Sequence, residues 1–312
     1  MPWKNYNPIL AMPNHYKELS DWGRVIPTSD EVAWTCNPKY NWVYNKLQIA
    51  LSQNLPAGPI GTDPTTYPVI IKPITNLYGG GVGAVLCHNE LEYKKYTTLA
   101  GYFWSQYLFG VHYSTDLIVV KGEIVFDVTF IGEKLQLGLF DYWRLVPTNK
   151  ATLYKLQNWV SINLPNYTGC LNVETLDDYI IEAHLRMGDI DRLGDTGLLE
   201  SIHVLYNANR WVYTDSIPDQ FYISALFGQH NKHFNINTTL ANFLFKSLVY
   251  FQLDKSNVEE MGNPVKGQRL ALFCDHSLEK TIDARNVAIA LFNPEIDGSF
   301  VQPLTGYVNL RI

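Results

Sequence analysis

What this chain lacks narrows it first. Its 312 residues contain only four cysteines (Cys36, Cys87, Cys170 and Cys274), none in C-x-x-C spacing. That excludes the common zinc and redox motifs and leaves free thiols in a reducing compartment. Charged residues make up 17% of the chain, the net charge is −6, and no basic run occurs, so nothing marks a nucleic-acid surface. No apolar run approaches the roughly 18 residues of a membrane helix. The opening MPWKNYNPIL has neither the basic nor the apolar region of a secretory signal. The sequence therefore reads as a soluble, cytoplasmic protein. Also missing are a G-x-x-x-x-G-K-[ST] loop, a G-x-G-x-x-G opening a helix, any Ser/His/Asp or Cys/His nucleophile signature, and any internal repeat.

What is present starts with apolar content: 46% hydrophobic residues and 20 tyrosines, enough for one large domain or two to three lobes around a shared cleft. The most informative segment is YPVIIKPITNLYGGGVGAVL, residues 67–86. A β-branched run delivers Lys72, Gly79, Gly80 and Gly81 follow with Gly83 close behind, and an apolar run resumes. This pattern predicts strand, glycine-rich turn, strand. Glycines let backbone N–H groups face an anion without Cβ interference, and a fixed ammonium beside them suits a polyphosphate. A hairpin turn with an incidental surface lysine fits the same residues equally well.

Elsewhere, VIPTSDEVAW (25–34) suggests a short strand and a turn. WVYNKLQIALSQ (42–53) has helical spacing behind an Asn41 cap. A Pro/Gly loop spans 54–68, and a helical stretch begins at Asn89. Strands are expected at 104–109, 112–121, 123–132 and within 135–147, and helices at 151–164 and 196–208. Residues 169–186 read as a tight hairpin turning at Asp177 and Asp178. Alternation puts Asn172 and Glu174 of one arm, and Glu182, His184 and Arg186 of the other, toward one face. Residues 211–312 read as a smaller α+β unit with a strand at 269–275, a helix at 277–291 and a closing strand at 305–312. In that tail Trp211, Tyr213, Gln229, His230 and His233 read as ordinary core and surface sooner than as a pocket.

Taken in order, YNKLQIALSQNLPAGP, YPVIIKP, NLYGGGVGAVL, WSQYLFGVHYSTDLIVVKGEIV and GCLNVETLDDYIIEAHLRMGD resemble five successive segments of the ATP-grasp superfamily. The match covers roughly residues 42–210. It implies an α+β, ATP-grasp fold in which two lobes with antiparallel sheets clasp a nucleotide cleft. Residues 1–41 would be an extension or a truncated preceding segment, since a full N-terminal α/β domain has no counterpart there. Residues 42–110 would form the small lobe with its glycine-rich loop, 111–210 the large lobe with a metal hairpin, and 211–312 a C-terminal α+β region.

The resemblance also implies roles. Lys46, Lys72, Gly79, Gly80 and Gly81 would hold the phosphates of ATP. The Gln106, Tyr107 and Leu108 hinge would hold adenine, with His112 at the ribose. Glu174, Glu182 and His184 would hold Mg2+, and Arg186 with Lys72 would act on the transferring phosphoryl group. Three positions depart from the family's pattern: Gln106 and His112, where acids are usual, and His184, where asparagine is usual. Histidine is a softer ligand than Mg2+ prefers. The implied reaction joins a small-molecule or peptide carboxylate to an amine or similar nucleophile through an acylphosphate, releasing ADP, and a homo-oligomer is left open. A kinase that stops at phosphoryl transfer, and a catalytically silent relative used for binding, are the alternatives.

Overall fold

The protein's structure is a computed structural model that describes residues 25–75, 81, 83–136, 139–176, 178–228, 238–253 and 268–292. Two antiparallel sheets organise it. The smaller has four strands in the order β1 (Ala57–Pro59), β4 (Tyr102–Gln106), β2 (Val69–Pro73), β3 (Val85–Cys87). The larger has eight strands. Its centre comprises β5 (His112–Val120), β6 (Glu123–Gln136) and β7 (Leu139–Val146), and its near edge β8 (Gly169–Leu176) and β9 (Tyr179–His184). Its far edge is β10 (Tyr222–Gly228), β12 (Gln268–Asp275) and β11 (Tyr250–Leu253). This is the expected α+β architecture with two antiparallel sheets.

Strand β5 shows why the large sheet is covered on both faces. Leu117 and Val119 point into one core with Leu156, Trp159 and Val160 of α4 (Lys150–Asn163), after α1 (Asp30–Cys36), α2 (Lys46–Ser52) and the single turn α3 (Glu90–Tyr93) in chain order. Ile118 points into the opposite core with Leu198, Ile202 and Leu205 of α5 (Thr196–Ala208). Such period-two burial on both faces produces the near-continuous apolar run LIVV. Helix α6 (Thr238–Phe245) and helix α7 (Leu278–Leu291) cover the far strands, where Arg285 ties α7 to the Asp141 carbonyl and the Ser224 hydroxyl, each at 3.0 Å.

Helix α2 joins the lobes. Its Ile49 packs with Leu171, Val173 and Ile180 of the large lobe, while Ala50 packs with Leu55 and Phe103 of the small one. The Gln53 side chain then continues the β9 ladder as a strand backbone would. It donates to the Ile180 carbonyl and accepts from the Ile180 N–H at 2.9 Å. An edge strand with unpaired backbone groups is thereby closed.

Several boundaries differ from the sequence expectation. Residues 30–36 form α1, not a strand and turn, because Ser29 caps the helix and Asp30 and Glu31 complement its N-terminal dipole. The expected 42–53 helix is a 3-10 segment, Pro38–Tyr44, followed by α2; the cap is Asn45, whose side chain accepts from the Gln48 N–H, and not Asn41. Helix α3 is one turn, closed by Asn89 and Glu92. Strand β4 stops at Gln106, so Tyr107 and Leu108 are connector. Strands β10 to β12 do not form a sheet of their own: β10 pairs with β7 and extends the large sheet. Residues 305–312 lie outside the described residues. Among the described residues no helix is long and apolar enough to cross a membrane, and all four cysteines are free.

Candidate nucleotide-type cleft

A solvent-open cleft is lined by residues of both sheets. The small sheet contributes Ile70, Lys72, Ser105 and Gln106; the connector contributes Tyr107 and Leu108. Helix α2 contributes Lys46 and Ala50, and the large sheet contributes His112, Lys134, Phe140, Glu174, Leu176 and residues 180–182. Gly81 and Ala84 sit at its rim. Strands β2 and β3 pair antiparallel as a hairpin, and Gly81 and Gly83 have φ of 67° and 78°, values that favour glycine. Gly79 and Gly80 lie outside the described residues.

The carboxylates come from one cross-strand pair. Glu174 on β8 sits directly opposite Glu182 on β9, and Asn172 opposite His184. A bulge at Ile181 sets this register, because Thr175 pairs with Ile180 and leaves Ile181 unopposed. Bulges re-aim side chains, and this one lets Glu182 meet Glu174 while Ile180 stays in the core. Like charges directly opposite are costly without counter-charge. Each carboxylate has a close partner: His112 Nε2 lies 2.9 Å from Glu174 Oε2, and Lys46 Nζ lies 2.9 Å from Glu182 Oε2. Burial pushes the Glu174 carboxyl up, but the His112 hydrogen bond, with the charges of His112, His184 and Lys46, more than offsets it and lowers the group to about 2. His112 is itself fixed edge-on against Phe140 and Trp143.

Lys72 enters from the small sheet, its ammonium 5.5 Å from the centre of the Phe103 ring. Burial and then the neighbouring Lys46 lower it to about 8, against the pull of Glu182 and Glu174. Two ammonium groups and two carboxylates from four elements thus act on one another inside one cleft.

Behind the cleft wall lies a group that sequence reading missed. Asp30, the first residue of α1, accepts from Arg186 Nε at 2.8 Å and from its Nη2 at 3.2 Å, and meets His184 Nδ1 at 2.9 Å. Burial raises its carboxyl, but Arg186 and His184 prevail and hold it well below the usual carboxylate range. Arg186 also donates to the Met187 carbonyl at 2.9 Å. It does not line the cleft, unlike the two lysines. Nothing in the local pattern of α1 marks Asp30; its partners are more than 150 residues away. Asp116 is likewise buried and accepts backbone N–H groups of Asp189 and Ile190 at 2.8 Å, shaping the turn after β9. Trp211 and Tyr213 pack on Phe126, while Gln229, His230 and His233 lie outside the described residues. The hinge also differs in detail: the Gln106 and Tyr107 N–H groups donate to the carbonyls of Pro56 and Pro68.

No protein-family model matches this chain, and no curated protein matches it in sequence. Solved structures do match its fold. An L-amino acid ligase from Bacillus licheniformis is 13% identical with a TM-score of 0.53, covering 80% of this chain and 71% of the other. A carboxyaminoimidazole ribonucleotide synthase from Aspergillus clavatus, solved with ATP, is 12% identical with a TM-score of 0.55, covering 88% and 76%. The biotin carboxylase domain of a 2-oxoglutarate carboxylase from Hydrogenobacter thermophilus, solved with MgADP and bicarbonate, is 12% identical with a TM-score of 0.53, covering 85% and 71%. At such identity the likeness is one of fold.

Proposed function

The chain has the ATP-grasp fold, and on that premise we propose that it is an ATP-dependent ligase joining a carboxylate to an amine or similar nucleophile. The observation that carries this reading is the convergence of Lys46, Lys72, Glu174 and Glu182 from both lobes on one cleft. A polyphosphate there relieves the mutual repulsion of the two lysines and raises Lys72 back toward full protonation. The glycines of the β2–β3 turn, Gly79 and Gly80 included, would close over the phosphates. Ile70, Leu108, Leu176 and Ile180 supply apolar walls for a purine. With the Tyr107 N–H already engaged, its carbonyl and the Leu108 N–H are the groups for the adenine edge. His112, committed to Glu174, would meet the ribose only by its ring face or by exchanging partners.

In the reaction, an oxygen of the acid substrate attacks the terminal phosphorus as the bond to the bridging oxygen breaks, releasing ADP. The acceptor nitrogen then attacks the acyl carbon, inorganic phosphate departs, and the nitrogen loses its proton. The chain's task is to position the reactants and offset negative charge, which Lys46 and Lys72 do without a covalent protein nucleophile. Arg186, tied to Asp30, would lend its charge from behind the wall. The carboxylates of Glu174 and Glu182 fit an Mg2+ shell, and the imidazole of His184 does not.

Turnover assays test the reading. ADP release that depends on an acid and rises with an added amine supports ligation. ADP release with a stable phosphorylated product supports a kinase instead. Absence of nucleotide binding contradicts both.

A further inference from the structure

We infer that the cation corner of this cleft is built for a first-row transition dication that accepts a nitrogen ligand, in preference to Mg2+, and that Asp30 is the residue that positions His184 for it. The inference rests on the proposed nucleotide reading for the identity of the site, and on the donor set for the identity of the ion. Glu174, Glu182 and His184 each offer a ligand atom, and these atoms lie within 4.8 Å of one another. Two of the three are hard oxygens. The third is an imidazole that is only 7% exposed, on the strand position opposite Asn172.

The orientation of that imidazole follows from its partner. Asp30 is gripped by Arg186 through both carboxylate oxygens and is therefore an acceptor. Its Oδ1 lies 2.9 Å from His184 Nδ1, which places a ring proton on Nδ1 and leaves Nε2 as the atom that would bind an ion. Nε2 lies 3.5 Å from Glu182 Oε1, too long for a good hydrogen bond. A cation between them would take both atoms as ligands. Glu182 Oε2 is already taken by Lys46, so Oε1 is the oxygen turned to the ion. A carboxylate behind a histidine is the usual support of a metal-bound imidazole, fixing its tautomer and orientation. Mg2+ strongly prefers oxygen ligands, whereas imidazole suits later ions of the first row.

Mn2+ is the probe, because it can be compared with Mg2+ by calorimetry and its coupling to nitrogen can be read by pulsed electron paramagnetic resonance. The protein is measured with Mn2+ alone and with inorganic tripolyphosphate, which carries no nitrogen. The expected result is a histidine 14N coupling in the wild type, absent in His184→Asn, and affinity for Mn2+ at least about tenfold above that for Mg2+. Asp30→Asn, which weakens the hold on Nδ1, lowers Mn2+ affinity about tenfold to a hundredfold. No 14N coupling in the wild type, or equal affinity for the two ions, overturns the inference whatever the variants do. Nucleotide binding is followed separately with a fluorescent ATP analogue. Binding of the analogue without 14N coupling defeats this inference alone, and 14N coupling without nucleotide binding defeats the ligase reading alone.

Discussion

Glu174 and Glu182 face each other across the β8–β9 ladder, each held by a side chain from outside its own hairpin: His112 on the first at 2.9 Å and Lys46 on the second at 2.9 Å. Both carboxylates of the resting cleft are thus already engaged, and Lys72 interacts with both of them as well as with Lys46. An arriving anion competes for Lys46 and for Lys72, and a cation competes for the acids. Nucleotide and metal should consequently favour each other's binding, a coupling that is reciprocal by thermodynamic necessity.

Lys72 gives the site a pH dependence. Its group sits at about 8 in the folded protein, against 10.5 for a free lysine. Phosphate prefers the charged form, so nucleotide affinity should weaken as pH rises above 8, by up to about tenfold per unit. Lys72→Arg should flatten that fall, because arginine stays charged. The unfolded chain holds the proton between about 8 and 10.5 where the folded chain has lost it, so the stability of the ligand-free protein should rise with pH across that window. Lys72→Met should remove the rise and increase the thermal midpoint at pH 7 by about 2–4 °C. Calorimetric titrations at pH 7, 8 and 9 and thermal melts check both halves.

The Glu174–His112 pair acts in the opposite range. The Glu174 carboxyl is lowered to about 2 from 4.5, so the unfolded chain binds more protons between those values. Its contribution is complete above about pH 4.5 and is lost as pH falls toward 2. His112→Phe removes the partner and should shrink the pH dependence of stability between pH 5 and 3. Unfolding midpoints across that range, wild type against variant, measure the difference, and identical slopes would contradict the pairing.

Much of this was legible locally. The hairpins at β2–β3 and β8–β9 follow from alternation between turn residues, and α5 from its helical spacing, so Lys72, Glu174 and Glu182 could be placed on strands in advance. What the sequence hid is non-local. Asp30 looks like an ordinary first-turn acid of a short helix, and only the tertiary fold brings it to Arg186 and His184. The Ile181 bulge leaves no sign in YIIEAHLR, yet it decides the register of the two acids. The far strands β10 to β12 read as a separate unit because nothing in their own pattern names β7 as a partner. Gln106 and Tyr107 read as hinge ligands, but their N–H groups are used by Pro56 and Pro68, a detail that depends on backbone geometry.

Asp30→Ala should be costly. It leaves the Arg186 guanidinium, about one-fifth exposed, without its bidentate partner. Fully buried pairs lose about 3–5 kcal/mol when one member is removed, and partial exposure reduces this to about 2–4 kcal/mol here. Urea unfolding at pH 7 measures it. A loss under about 0.5 kcal/mol would mean that the pair is a surface contact of little consequence.

Gln53→Ala tests the joint between the lobes. It removes both side-chain bonds to Ile180 and leaves two backbone groups at the β9 edge unsatisfied. The expected cost is about 1–3 kcal/mol, with faster hydrogen exchange at the Ile180 amide. Unchanged exchange there would show that the edge is closed by other contacts.

The central claim is that a nucleotide binds between the sheets through lysines of both lobes. Calorimetric titration of ATP with Mn2+ or Mg2+ into the wild type and into a folded Lys46→Met, Lys72→Met double variant tests it most directly. The account predicts saturable one-to-one binding to the wild type and a loss of at least about a hundredfold in the double variant, since each lysine makes charge-assisted bonds to phosphate. No binding by the wild type, or equal binding by both proteins, would contradict it.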